Sequence, residues 1–425
     1  MGRTLAKLGG KPLFEHPVEG QYPGALVMGT EEAAAVSDVA LSRSPFRYYG
    51  LNMQHKVQSF ENELAKYLDV RYALGVTSCT AALFVALKAL KLGYGDKVAV
   101  PAFTFLATAG AVVSAGAVPV FIDIDESIGM DPIDLDKKLS ADDEIKAVII
   151  VPLLGYPCDM DALLAVARKY GVRVIEDVAQ SCGASYSGRK LGTLGDIGVF
   201  SFQMNKLITA GEGGAVVTND PNLFIRAVRF HDQGIFREQE RYGLHSVDEA
   251  DAFAGLNFRM SEFTGAVMGE QLAKLPEIIR RMRSVHDLIY HELKERAPKL
   301  QLRKLFDQEG TIGCYIALIT PTPEIAQEFI AGLQAENISS YLLYEGMPLF
   351  RRDIFRLRRS AEKDNFPYNY PFRNPIENPE MSCPRAIDLC PRTVFIPISP
   401  HFTQEDGELL IEGILSVYPS EAANI

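Results

Sequence analysis

Residues 199–217 read Val-Phe-Ser-Phe-Gln-Met-Asn-Lys-Leu-Ile-Thr-Ala-Gly-Glu-Gly-Gly-Ala-Val-Val, with Ser201, Lys206, Gly211, Gly213 and Gly214 as landmarks. Two apolar runs of strand length, Val199–Phe202 and Gly214–Val217, flank a loop. One lysine stands in an otherwise uncharged stretch between the first run and a glycine-rich turn. A surface lysine has no need of such surroundings. A lysine that must form a Schiff base gains from them, because desolvation lowers its pKa and frees the amine. Ser201 stands where a hydroxyl could meet a phosphate, and the glycines permit a tight turn beside a ligand.

Outward from this stretch the chain alternates helix-like and strand-like segments. Strand-like runs lie at Tyr72–Val76, Lys97–Val100, Val118–Ile122, Ala147–Val151 and Val172–Ile175, which with the two above make seven. Helical patterns lie between them, among them Glu61–Tyr67, Ala81–Leu92, Thr108–Ala115 and Met160–Tyr170. Such alternation predicts an α/β fold with a mostly parallel sheet between helices. Continuous apolar strands agree with a sheet buried on both faces. From about Pro276 a long helix over Ile278–Arg296 precedes a smaller α+β unit, and residues 360–381 read as an extended loop.

Two further motifs follow strands, where open α/β sheets bind ligands. Thr77-Ser78-Cys79-Thr80 stands at a strand-to-helix junction, where small hydroxyl residues cap the helix and its free amides suit an anion. Glu176-Asp177-Val178-Ala179-Gln180-Ser181 ends a buried strand. A carboxylate there needs a partner, and a protonated pyridine nitrogen is a good one, since it makes the ring an electron sink.

Composition excludes several alternatives. The 425 residues carry a formal net charge of −11 without a basic tail or stripe, which argues against nucleic acid as a partner. The six cysteines form no CxxC pair or zinc spacing, so neither a metal site nor a disulfide framework is expected. No apolar run is long enough to span a membrane, and a cytoplasmic protein is expected. Met1-Gly2 invites a lipidation reading, but Ala6 stands where that motif wants Ser or Thr. The arginine-rich segments 280–283 and 351–359 read as solvated faces or, more sharply, as an anionic-substrate site. A nicotinamide-dependent oxidoreductase would need GxGxxG after the first strand, and Gly75-Val-Thr-Ser-Cys-Thr80 does not supply it.

In chain order these motifs run phosphate loop, carboxylate, lysine. With PAFTFLATAGAVVSAGAVPVFIDID from Pro101, VIEDVAQSCGASYSGRKLGTLGDIGVFSF from Val174 and GLNFRMSEFTGAVMGEQLAKL from Gly255, the chain resembles the DegT/DnrJ/StrS sugar aminotransferases, of the fold-type-I class that uses pyridoxal 5′-phosphate (PLP). The resemblance implies a large PLP-binding domain (46–280), an N-terminal arm (1–45) and a small C-terminal domain (281–425). It implies that Lys206 carries PLP as a Schiff base and that Asp177 partners the pyridine nitrogen. Cys79 and Thr80 match the phosphate loop, with Cys79 in place of the family's glycine, and Ser201 matches the phosphate-binding serine. Phe105 matches the aromatic stacked on the ring, and Gln180 the neighbour of its phenolic oxygen. Asn257 matches a residue that reaches the partner subunit's phosphate, so a homodimer with a shared active site is implied. A helix-capping role is the alternative for Asn257. Lysine rather than histidine at 206 points to transamination instead of dehydration.

The implied donor is L-glutamate or L-glutamine. The implied acceptor is a keto sugar, such as a keto octulosonate, or a keto cyclitol of the scyllo-inosose type. An enzyme like 3-amino-5-hydroxybenzoate synthase is one alternative, and an inactive PLP-fold regulatory module another. Arg229, His231, Arg237 and Tyr344 are candidates for the acceptor site.

Overall fold

The computed structural model describes residues 3–17, 20–244 and 249–418; Met1 and Gly2 of the lipidation reading lie outside them. Seven strands form the central sheet: β1 (Tyr72–Val76), β2 (Lys97–Pro101), β3 (Val118–Ile122), β4 (Ile145–Ile150), β5 (Arg173–Asp177), β6 (Ile197–Ser201) and β7 (Gly214–Thr218). Their order is β1-β7-β6-β5-β4-β2-β3. Strands β2 to β6 run parallel, and β7 is antiparallel to both its neighbours. The expected mostly parallel, seven-stranded sheet is therefore present. Its strands are Val-, Ile- and Ala-rich because helices cover both faces.

The register brings the motifs to one edge. Gly214 pairs with Val76 on one side and Ser201 on the other, while Asp177 ends β5 beside Val199 of β6. The loop after β1 leads into α1 (Cys79–Ala89), capped by Ser78, whose Oγ accepts from the Ala81 amide at 3.1 Å. Two helices that the sequence reading passed over, α2 (Pro132–Ala141) and α3 (Pro221–His231), both open with Asp-Pro. Asp131 and Asp220 cap them through the amides of Ile133 and Asn222, each at 2.8 Å.

The long helix α4 runs Glu262–Arg296, starting sixteen residues before the expected Ile278. Pro276, read as its boundary, lies inside it; the burial of one face of this helix outweighs the lost amide bond. The domain boundary expected at 280/281 therefore falls within one continuous helix. Beyond it, β8 (Gln301–Leu302), β9 (Tyr315–Ile319), β10 (Tyr341–Leu342) and β11 (Thr393–Pro397) form a small antiparallel sheet in the order β8-β9-β11-β10. Residues 360–381 are largely irregular, as expected, with short turns of helix at Lys363–Asn365 and Pro379–Ser382. Fully buried Lys97 ties this segment to the large sheet. Its Nζ lies 2.6 Å from Asp142 and 2.7 Å from the Asn374 carbonyl. Among the described residues no helix is long and apolar enough to cross a membrane.

The start of α4 explains its Ser-Glu pair. Ser261 caps its own helix, accepting from the Thr264 amide at 3.2 Å. Buried Glu262 instead accepts from the Lys56 and Val57 amides, at 2.7 and 3.1 Å, at the start of helix Lys56–Leu68. Glu262→Ala should therefore orphan two helix amides and cost about 1–3 kcal/mol in urea unfolding. An unchanged midpoint would refute this role.

Candidate active site

The sheet edge opens into a cavity of about 600 Å³. Cys79, Thr80, Phe105, Asp177, Gln180, Ser201 and Lys206 all line it. Seven of the eight site residues expected from sequence thus come together. The eighth, Asn257, is exposed and outside this lining. It forms an isolated bridge with Asp232 and accepts from the Arg259 amide at 3.3 Å. It does not cap α4, which begins later.

The lysine loop is held by its own backbone. The Phe202 amide donates to Gly213 at 2.9 Å and Met204 to Gly211 at 3.1 Å, where Gly211 takes φ +80°. The Lys206 amide donates to Gln203 at 2.9 Å, and the Lys206 carbonyl accepts from the Gly24 amide at 3.1 Å. The N-terminal segment Gly20–Pro23 consequently forms part of the cavity wall. A side chain at Gly214 would stand 2.5 Å from the Ser78 carbonyl and 2.7 Å from the Cys79 nitrogen. Glycine there lets β7 pass directly under the phosphate loop.

Asp177 is buried, and burial pushes its carboxyl pKa up. Thr108 Oγ1 donates to it at 2.9 Å and the Ala179 amide at 3.2 Å, and both oppose that shift. Cys79 points its sulfur at the same carboxylate, 3.8 Å away. Burial and that neighbouring charge push the thiol pKa well up, so it stays protonated. The side chain at this unusual position therefore faces the carboxylate. Burial also lowers the Lys206 pKa, partly offset by Cys79 and Asp177. Adjacent Glu176 points the other way, accepting from the amides of Gly192, Leu194 and Gly195 at 2.6–2.8 Å.

Of the acceptor candidates only Tyr344 lines the cavity; its phenol accepts from Gln180 Nε2 at 3.0 Å. His231 is buried beside Tyr48 at 3.3 Å, and burial brings its pKa down to about 4. Arg229 is buried, and Arg237 pairs with Asp232 at 2.8 Å. The arginine-rich segments form exposed ion pairs, such as Arg280–Glu277 and Arg351–Glu380. The sequence reading missed Thr108, Glu212, Tyr315 and Tyr341. Of these, Thr108 carries a signal, one helical turn after Thr104 in the segment that also holds Phe105.

These residues fit PLP. Gln180 Oε1 is buried without a partner among the described residues, where a polar group of a ligand would satisfy it. The desolvated Asp177 carboxylate suits a cationic nitrogen. The first amides of α1 and the Gly214 cradle suit a phosphate.

Comparison with known proteins agrees. The GDP-perosamine synthase of Escherichia coli O157:H7 is 39% identical over 233 residues, 55% of this chain and 61% of that protein, so less than two thirds of the relative's length is matched. The L-glutamine:2-deoxy-scyllo-inosose aminotransferase of Streptoalloteichus tenebrarius is 33% identical over 294 residues, 68% of each protein. The crystal structure of 3-amino-5-hydroxybenzoic acid synthase matches with a TM-score of 0.77 at 26% identity, covering 96% of this chain and 99% of the other. Residues 31–415 match the DegT/DnrJ/EryC1/StrS aminotransferase family, and the chain belongs to that PLP-dependent family.

Proposed function

We propose that this protein transfers an amino group from L-glutamate or L-glutamine to a keto sugar or keto cyclitol, as a homodimer. The observation that carries the reading is the convergence of Lys206, Asp177, Ser201 and the Cys79–Thr80 amides on one cavity. The scyllo-inosose aminotransferase and GDP-perosamine synthase relatives support the acceptor class.

Bound PLP supplies an electron sink for charge developing at the substrate carbon. The chain does the rest. Asp177 holds a proton on the pyridine nitrogen, because an anion buried without water favours a cation beside it. Thr108 and the Ala179 amide fix the direction of that carboxylate. The Cys79 and Thr80 amides and the Ser201 hydroxyl would hold the phosphate, and Phe105 would pack against the ring. Gln180, whose Oε1 has no partner among the described residues, would meet the phenolic oxygen. The Lys206 amine, whose ammonium form burial disfavours, is placed to take the proton from the donor α-carbon and to return one to the acceptor carbon. Asn257, exposed on this protomer, would complete the partner's phosphate site.

Three measurements test this. The protein loaded with PLP should absorb in the visible and lose that band on addition of L-glutamate or L-glutamine. Lys206→Ala should abolish the change and cut turnover by at least about 100-fold. A colourless protein that takes up no PLP would overturn the reading. In the cofactor-free protein, acylation of Lys206 should titrate below the ~10.4 of a free lysine, since burial disfavours the ammonium. Asp177→Asn should lower it further, because the aspartate charge raises it. A titration at the ordinary lysine value would contradict the desolvated site. Asp177 carries the opposite linkage. Its folded pKa lies above the unfolded ~3.9, so the cofactor-free protein loses stability as pH rises through that interval. Asp177→Asn should remove this loss in thermal scans while weakening PLP retention, and a mutant with an unchanged pH profile would count against it.

A further inference from the structure

We propose that Cys79 is a positioning residue for Asp177: its thiol covers one carboxylate oxygen against water without neutralising it, and so leaves that oxygen anionic for the ring nitrogen of the cofactor. The proposal rests on the PLP reading above for the identity of that nitrogen. The contact between Cys79 and Asp177 itself lies inside one protomer.

The two Asp177 oxygens have unequal partners. Oδ2 accepts from the Thr108 hydroxyl at 2.9 Å, on helix Leu106–Ser114. Oδ1 accepts from the Ala179 amide at 3.2 Å and from the Cys79 thiol at 3.8 Å, two longer bonds. A thiol is the weakest donor of the three. An ionised carboxyl group offers about four lone-pair sites, and these donors meet three of them. Room remains for one N–H, and Oδ1 keeps more of the charge to offer it.

The effect of sulfur here follows from the two nearest alternatives. Position 79 opens α1, and its amide is a first-turn donor whatever the side chain. Glycine, the residue of the family at this place, would leave that side of Oδ1 bare. The space of a CH2–SH group beside a polar cavity is enough for a water, which would solvate the charge. Serine would keep the cover but exchange a weak donor for a strong one. A hydroxyl bond, direct or through one water, stabilises the anion. Either change lowers the proton affinity of Asp177 and weakens its pull on a cation. Cysteine does neither. Asp177 is 4% exposed and Cys79 9%, and burial keeps the thiol a neutral partner.

Among the described residues three titratable groups face Asp177. They are Cys79 on α1, Lys206 on the lysine loop and Tyr344, which with Tyr315 and Tyr341 forms the cavity wall from the C-terminal unit. Burial raises the Cys79 thiol and the Tyr344 phenol, so both are neutral below pH 8, and Lys206 is the cation of the set. Replacing Cys79 leaves the other two in place, so a change in the titration of Asp177 reports the side chain at 79.

The test uses cofactor-free wild-type protein, Cys79→Ser and Cys79→Gly, each also with Asp177→Asn. In the wild type, stability falls as pH rises from the unfolded carboxyl value of ~3.9 to the raised folded one. Both substitutions lower the folded value. The upper end of the interval should move down by about half a pH unit or more, and the loss of stability should shrink with it. With Asp177→Asn, neither substitution should alter the profile. PLP affinity, followed by visible absorbance, should fall about fivefold in both variants. If Cys79→Gly does not fold, Cys79→Ser, which nearly keeps the side-chain volume, decides. A pH profile unchanged from wild type, or a change that survives Asp177→Asn, would overturn the proposal. Failure of every variant and the wild type to take up PLP would instead fault the cofactor reading, while the cofactor-free profiles still decide the role of Cys79.

Discussion

A carboxylate at the end of a buried strand is costly, and the site is organised around offsetting that cost at Asp177. Among the described residues, a hydroxyl, an amide and a thiol are the groups that hydrogen-bond to the carboxylate. Its neighbour Glu176 shows what full compensation looks like, with three amides at 2.6–2.8 Å. The two adjacent acids differ because strand alternation sends them to opposite faces. One is satisfied by the fold, while the other is left for a cation to complete. An under-compensated anion beside a desolvated amine is a pair of groups poised for chemistry.

The sheet register turns this local chemistry into a site. Gly214, flanked by Val76 and Ser201, sets the phosphate loop, the serine and the lysine loop at one edge, and β5 ends there with Asp177. The mixed polarity of β7 contributes directly. Running antiparallel, it begins where its neighbours end, so the chain can leave β6, carry Lys206 around the cavity and re-enter the sheet within a dozen residues.

Much of this was legible in the chain. Lys206 stands out because it is a single cation in an otherwise uncharged stretch before a glycine-rich turn, and the seven strands because they are continuous apolar runs. The resemblance placed Asp177 rather than Glu176, since the residues alone leave both acids open. Helices Pro132–Ala141 and Pro221–His231 carried a readable Asp-Pro start that was passed over. The long helix was cut short because Pro276 is a local stop signal that tertiary burial overrides. The tyrosine wall had no local signal at all. Tyr344 meets Gln180 across 164 positions of chain, and nothing near Tyr344 in the sequence anticipates that contact.

The bond between the Gly24 amide and the Lys206 carbonyl bears on how the molecule is made. The same N-terminal segment lies against the C-terminal unit at Gly20, close to Pro397. Both contacts, and that of Tyr344 with Gln180 across 164 positions, join distant parts of the chain, and such contacts form late because loop closure precedes them. During synthesis the sheet and its lysine emerge well before Tyr344 and Pro397. A nascent chain thus carries its reactive amine in an unfinished, water-filled site, and the pocket closes over that amine after the last strand is released.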